Sequence, residues 1–313
     1  MRSPVVGELA ELDQRVVSAL QVDGLAGPGR IAEVLGVSAR TVARSLARTA
    51  GDVRVVRVPN PEHGLRGATL LRVRVLRGRV EVLADALAAR PEVLFVDVLA
   101  GGEEISAVAL GGVPRLPANA VTSVHALSVL HVFSDAADWR SGVLTAAEVE
   151  TLRPAPPSGN HSPDALDHHL LELLAEDART GPSALATATG APESTVRRRV
   201  DRLVATGHVR TYAIADPRLF GLTVDANVWM TVPPARLPAL GADLARHPLV
   251  HGVLATTGPT NLMAAVFCRD LPDLYDFVTS LHDVPAAEVT VVGGAVKRAG
   301  RRPPVLGTPH PLR

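Results

Sequence analysis

The sequence predicts an α+β chain in which one mixed module occurs twice, and three observations carry that expectation. Residues 12–48, LDQRVVSALQVDGLAGPGRIAEVLGVSARTVARSLAR, lie without a gap on residues 166–202, LDHHLLELLAEDARTGPSALATATGAPESTVRRRVDR. In each half an opening stretch of helical periodicity gives way to strand-like alternation, the pattern of a helical part followed by a sheet-bearing part. RPAPPSGNHSP, residues 153–163, disfavours both helix and strand and divides the halves. Shared alanine bias does not account for the register, because it places Gly27 on Gly181, Pro28 on Pro182, Gly36 on Gly190, Arg44 on Arg198 and Arg48 on Arg202. The expected organisation is two winged helix-turn-helix domains, at 9–58 and 164–215, and two ferredoxin-like βαββαβ domains, at 65–150 and 220–300. A linker at 151–163 and a tail at 301–313 complete it.

In the first half, Ser38 is an expected N-cap, and Arg40, Arg44 and Arg48 follow at fourfold spacing on one helix face beside Thr41. Three cations without an intervening acid repel one another, and a phosphate backbone would favour the arrangement. LLRVRVL alternates apolar and arginine positions, giving a strand with one buried and one polar face. After AGGEE the first half loses order. The second helix of its α/β domain is expected to be shortened, and DAADWRSGVLTAAEVETL is an extension without an evident place.

In the second half, Ser162-Pro163-Asp164 starts a helix whose Leu166, Leu170, Leu173 and Leu174 share a face. Gly181-Pro182 opens the next helix and Gly190 ends it. The third helix buries Val196, Val200 and Leu203 and presents Ser194, Thr195, Arg197, Arg198, Arg199 and Arg202 on its other faces. HVRTYAI then reads as a wing strand. Helix, helix, glycine turn, helix is the helix-turn-helix pattern, whose last helix enters the DNA major groove. Ser194, Arg197 and Arg198 stand near its start, for bases or adjacent phosphates, and Arg202 stands a turn further on, for backbone. The competing reading makes the arginines surface ion-pair partners of Glu193 and Asp201. Glycine turn and repeat favour the first. LTVDANVWMTV, ARLPALGADLARHP, VHGVLATTG, NLMAAVFCRD, LPDLYDFVTSLHDV and AEVTVVGGAVK then read in the order βαββαβ.

Composition limits the alternatives. With 32 basic and 32 acidic side chains in 313 residues the formal net charge is zero, so nucleic-acid or membrane binding has to come from local patches. Lys297 is the only lysine, and arginine enrichment alone says little. The single cysteine, Cys268, excludes an internal disulfide and fits a reducing compartment. No signal pattern or membrane-length apolar run is present, so a cytoplasmic protein is expected. His168 and His169 are adjacent and cannot chelate in the i, i+4 manner; no metal, cofactor or catalytic motif is expected, and the chain is expected not to be an enzyme.

The order LD..LLELLAEDART...LA..TG...STVRRRVDRLVATGHVRTYA....LFGL resembles the Lrp/AsnC family of transcription regulators, closely over 164–297 and more loosely over 9–133. The resemblance implies double-stranded DNA as partner, bound by a winged helix-turn-helix. It also implies a βαββαβ domain that takes small effectors, often amino acids, and assembles the protein into homo-oligomers. The family's effector turn begins with threonine and glycine and carries an aspartate three residues on. Here that turn is Thr257-Gly258 with Asn261 in the acid's place, and its first-half counterpart runs from Gly101 to Glu104. The alternative is a sirohaem decarboxylase-like enzyme on the same fused architecture, with His251 and Arg210 near the tetrapyrrole carboxylates.

Overall fold

The computed structural model describes residues 8–298 apart from 52, 60–66, 118, 137, 155, 157, 177–179 and 283. The tail expected at 301–313 lies outside the described residues. In chain order the elements are α1 (Glu11–Val22), α2 (Pro28–Leu35), α3 (Ala39–Thr49), β1 (Val53–Pro59), β2 (Ala68–Val75), α4 (Val80–Ala88), β3 (Val93–Leu99), β4 (Glu104–Leu110) and β5 (Val121–Ser134). They continue as α5 (Ala146–Leu152), α6 (Ala165–Glu176), α7 (Pro182–Thr189), α8 (Glu193–Ala205), β6 (Val209–Ala215), β7 (Val224–Thr231), α9 (Leu237–Leu244), β8 (Val250–Thr256), β9 (Leu262–Cys268), α10 (Leu271–Thr279) and β10 (Ala286–Lys297). They fall into two compact units, Leu9–Gly64 with Arg140–Phe220, and Leu65–Trp139 with Gly221 onward.

The first unit is helical. Proline in the first turn starts both α2 and α7, and a glycine in the left-handed conformation ends each, Gly36 at φ 68° and Gly190 at φ 70°. Those two glycines make the tight turn that sets α3 across α2 and α8 across α7. Val16, Leu20, Ile31, Leu35 and Val42 form one core, into which Leu152 of α5 and Ala213 of β6 also pack. Leu170, Leu174, Leu185 and Val196 form the other. The expected wing strands pair with each other: β1 and β6 run antiparallel, with Val53 opposite Ala215 and Pro59 opposite Val209.

The second unit holds two four-stranded sheets, β3-β4-β2-β5 and β8-β9-β7-β10, each in ferredoxin-like order. The seams β5–β8 and β10–β3 join them into a closed eight-stranded barrel. Strand alternation divides the side chains. Leu71, Val73 and Ile105 pack with Leu83 and Leu87 of α4, and Val228, Met230 and Leu262 pack with Leu274 and Phe277 of α10. Alternate positions, Leu70, Val108, Leu127, Trp229, Leu254 and Met263, form a separate apolar cluster on the strands' other face.

Two expectations need correction. The second helix of the first α/β domain is not shortened but absent among the described residues, where β5 is the next element after β4. Val124 and Leu130 of β5 are left 38% and 65% exposed. The division at 150/151 is also displaced, since Arg140–Leu152 packs with the first three-helix core rather than with the strands. The extension thereby gains a place, as the helix α5 with a Thr145/Glu148 capping box. Among the described residues, no helix is long and apolar enough to cross a membrane and no cluster of metal-ligating side chains occurs.

Candidate nucleic-acid interface

Helices α3 and α8 are amphipathic, and their apolar stripes fix which residues face out. Val42, Val196 and Leu203 are fully buried, so the residues on the opposite faces of the two helices point to the surface. On α3, the Ser38 hydroxyl accepts from Thr41 N at 3.1 Å and lies 2.8 Å from the Thr41 hydroxyl, so this pair caps the helix. Arg40 and Arg44 are exposed, with no side-chain hydrogen bond or ion pair among the described residues. Arg48 is engaged instead. It donates to the buried Asp13 carboxylate of α1 from Nη2 at 2.6 Å and Nε at 3.2 Å, and the Ser45 hydroxyl donates to the same group at 2.5 Å. The Arg48 hydrogen bond outweighs burial and, with Ser45, holds Asp13 below the ordinary carboxylate range.

Helix α8 starts after Pro192 with no side-chain cap. Ser194 is exposed, Thr195 half-buried, and Arg197 pairs with Glu193 at 2.9 Å. Glu193, Ser194, Arg197, Arg198 and Asp201 line a shallow open depression. Arg198 and Arg202 are exposed and unpaired among the described residues. Arg199, which the sequence groups with the outward side chains, is the inward anchor: its Nη1 lies 2.5 Å from Asp164 and 3.1 Å from the fully buried Asp167. His161 Nε2 completes that site at 2.8 Å from Asp167. Burial pushes Asp167 up, but hydrogen bonds from the Asp164 backbone, His161 and Arg199 prevail and leave it low.

Sequence reasoning missed the role of these two aspartates. Asp13 and Asp167 occupy matching positions, and each ties the first helix of its trio to the last. The first half uses Ser45 and Arg48 for this and the second uses Arg199. Since Ser45 matches Arg199, the anchor has moved one turn, which leaves Arg202 unpaired among the described residues where its counterpart Arg48 is tied. The signal was the aspartate's retention inside an otherwise apolar helix face.

The expected effector residues lie on two turns and are engaged by neighbouring groups of the chain. At the β8–β9 turn, Thr257 exchanges hydrogen bonds with Ser128 of β5, its hydroxyl accepting at 2.9 Å and its N–H donating at 2.9 Å. Gly258 sits at φ 99°, where a Cβ would lie 2.6 Å from Leu127 Cδ2. Asn261 stands where the resemblance implies an aspartate, with a neutral amide able to hydrogen-bond an ammonium or backbone group. Instead Val232 occupies it from both sides, Oδ1 accepting from Val232 N at 2.8 Å and Nδ2 donating to Val232 O at 2.9 Å. Gly101 is an exposed turn residue, and Glu104 accepts from Arg72 at 2.6 Å and Arg74 at 3.4 Å. Arg72 also donates twice to Glu288, at 2.7 and 2.8 Å, and lies 4.6 Å from the Trp229 ring centroid. Its guanidinium holds Glu288 below the ordinary range. His251 packs against Trp139 and Phe267, with ring centroids at 5.2 and 5.0 Å, and the Arg210 side chain lies outside the described residues.

Comparison with known proteins agrees with the helical geometry. An AsnC-type helix-turn-helix domain matches residues 164–204, and an Lrp/AsnC ligand binding domain matches 225–301. An uncharacterized HTH-type transcriptional regulator of Pyrococcus horikoshii, PH0140, is 34% identical over 116 residues, covering 37% of this chain and 73% of that protein. The HTH-type transcriptional regulator FL11 of the same organism is 24% identical over 128 residues, covering 41% of this chain and 85% of its own. Among solved structures, that of the siroheme decarboxylase NirDL covers 94% of both chains at a TM-score of 0.58 and 13% identity, a likeness of fold. The domain matches and the shared identity with PH0140 place the chain: it belongs to the Lrp/AsnC family.

Proposed function

We propose that the chain is a sequence-specific DNA-binding transcription regulator, with two helix-turn-helix units and two effector-type α/β domains arising from internal duplication. One observation carries this reading. Arg44 and Arg198, at matching positions, stand exposed and unpaired among the described residues on helices whose undersides are locked into a core. Exposed cations without a partner on the last helix of such a unit support contact with base edges or phosphates. Selection of bound duplexes from a random pool, followed by titration of the enriched sequence, tests it. Specific sites should bind at least about a thousandfold tighter than random duplex; a pool that stays unenriched removes the reading.

Two finer parts accompany it. A small molecule acting at the effector turns has to displace Val232 from Asn261 or Arg72 from Glu104, so free amino acids should bind there weakly, and calorimetry across them checks this. Self-association through the α/β domains is read by sedimentation, and a monomer at micromolar concentration would overturn it. The fold likeness to a decarboxylase does not transfer chemistry. Sirohaem titration that produced a shifted absorbance band and decarboxylated product would reverse the non-enzymatic reading.

A further inference from the structure

The stretch between the two halves touches both helix-turn-helix units, and it does so through fixed anchors. At its first end, Ser141 meets Ser18 of α1, hydroxyl to hydroxyl, at 2.5 Å. Leu152, 1% exposed, fills the first three-helix core. Arg15 of α1 pairs with Glu148, and Arg30 of α2 donates to Thr151 O. At its other end, Ser158 N donates to Ala205 O at 2.7 Å, capping the last turn of α8. Gly159 sits at φ 88°, and His161 binds Asp167, the carboxylate that also holds Arg199 of α8. Between the anchors the sequence is Arg153-Pro154-Ala155-Pro156-Pro157, a composition that stiffens a linker. From Leu152 to Ser158 the chain reaches at most about 20 Å.

We infer that residues 140–161 are a strap that sets the separation of α3 from α8, and so determines which half-site spacing the chain accepts on DNA. The inference rests on the DNA-binding reading above. The β1–β6 ribbon, which sends Ala213 into the first three-helix core and Val209 against Leu171 and Leu203, is one connection between the two trios of helices. The strap adds a second connection. One anchor lies in the core beneath α3 and the other on the final turn of α8, so a change in strap length is passed to the helices themselves. Paired recognition helices read half-sites about 34 Å apart, and a spacing error moves one of them off its bases. His161 and Leu152 are accordingly positioning residues.

The test uses the full chain and duplexes in which the selected half-sites are re-spaced in single-base-pair steps, read by fluorescence anisotropy. Wild type should prefer one spacing and lose about tenfold or more within two base pairs of it. A variant with Gly-Ser-Gly-Ser-Gly-Ser inserted after Pro154 should keep its affinity for an isolated half-site and bind all spacings within about threefold. His161→Ala, which removes the contact to Asp167 and leaves Ser158 N on Ala205 O, should broaden the optimum, and His161→Gln, which retains a donor toward Asp167, should restore it. These substitutions keep the question open to decision if the insertion fails to fold. A folded insertion variant, or a folded His161→Ala, with the wild-type optimum and width overturns the strap and leaves the β1–β6 ribbon as the determinant. A wild-type chain that selects no sequence overturns the DNA-binding reading instead.

Discussion

Single arginines differ here in what they are free to do, and the difference follows from one turn of helix. Arg44 and Arg198 are unpaired among the described residues, so replacing either by alanine should weaken binding of the selected site by about 1–3 kcal/mol, measured by anisotropy, with little change in melting temperature. Asp13 and Asp167 should behave oppositely. Asp167→Ala leaves the groups around it without their acceptor and should cost about 1–3 kcal/mol of stability in thermal unfolding. Both carboxylates have lowered folded-state values, so their contribution is complete above the ordinary carboxylate range, near about pH 4, and is lost as pH falls through the lower folded values. Melting temperature should fall on acidification toward pH 3, and less steeply in Asp13→Asn with Asp167→Asn. Asn261→Asp restores the acid typical of the effector turn but removes the donor to Val232 O, and should lower stability by about 1 kcal/mol rather than create an amino-acid site.

Elements were legible in proportion to how local their causes are. Proline and glycine bracket α2 and α7, leucines recur along α6, and a valine and leucine stripe marks α8, so these helices could be read from the sequence. Helix α5 was not, because what holds it is the first three-helix core, more than a hundred residues earlier in the chain. The missing partner of α10 was read as a shortened helix, since sequence shows lost periodicity but not that β5 runs on for 14 residues in its place. At the interface, the outward arginines were legible from the stripe they avoid. Arg48 and Arg202 look equivalent in sequence, and only the buried aspartates distinguish them. Close approach between elements gives a further check. A Cβ on Gly241 of α9 would lie 2.3 Å from the Phe133 ring, so Gly241→Ala should lower the melting temperature through overpacking of about 1–3 kcal/mol.

For the whole molecule, equal numbers of acidic and basic side chains mean that any attraction to DNA is local. Binding should still fall steeply with salt, because phosphate neutralisation releases counterions whatever the net charge, and the log–log slope counts the phosphates engaged. A flat salt response would contradict the two-helix interface. The closed barrel has another consequence. When two separate copies associate through a twofold interface, every contact has to serve its own mirror image and the assembly comes apart on dilution. Here Arg72 grips Glu288 and Trp229 with no requirement that the reciprocal grip exist, so each seam is free to drift into its own chemistry. An Arg72→Ala variant that loosens the contact to Glu288 and leaves the β5–β8 seam intact would be the visible mark of that freedom.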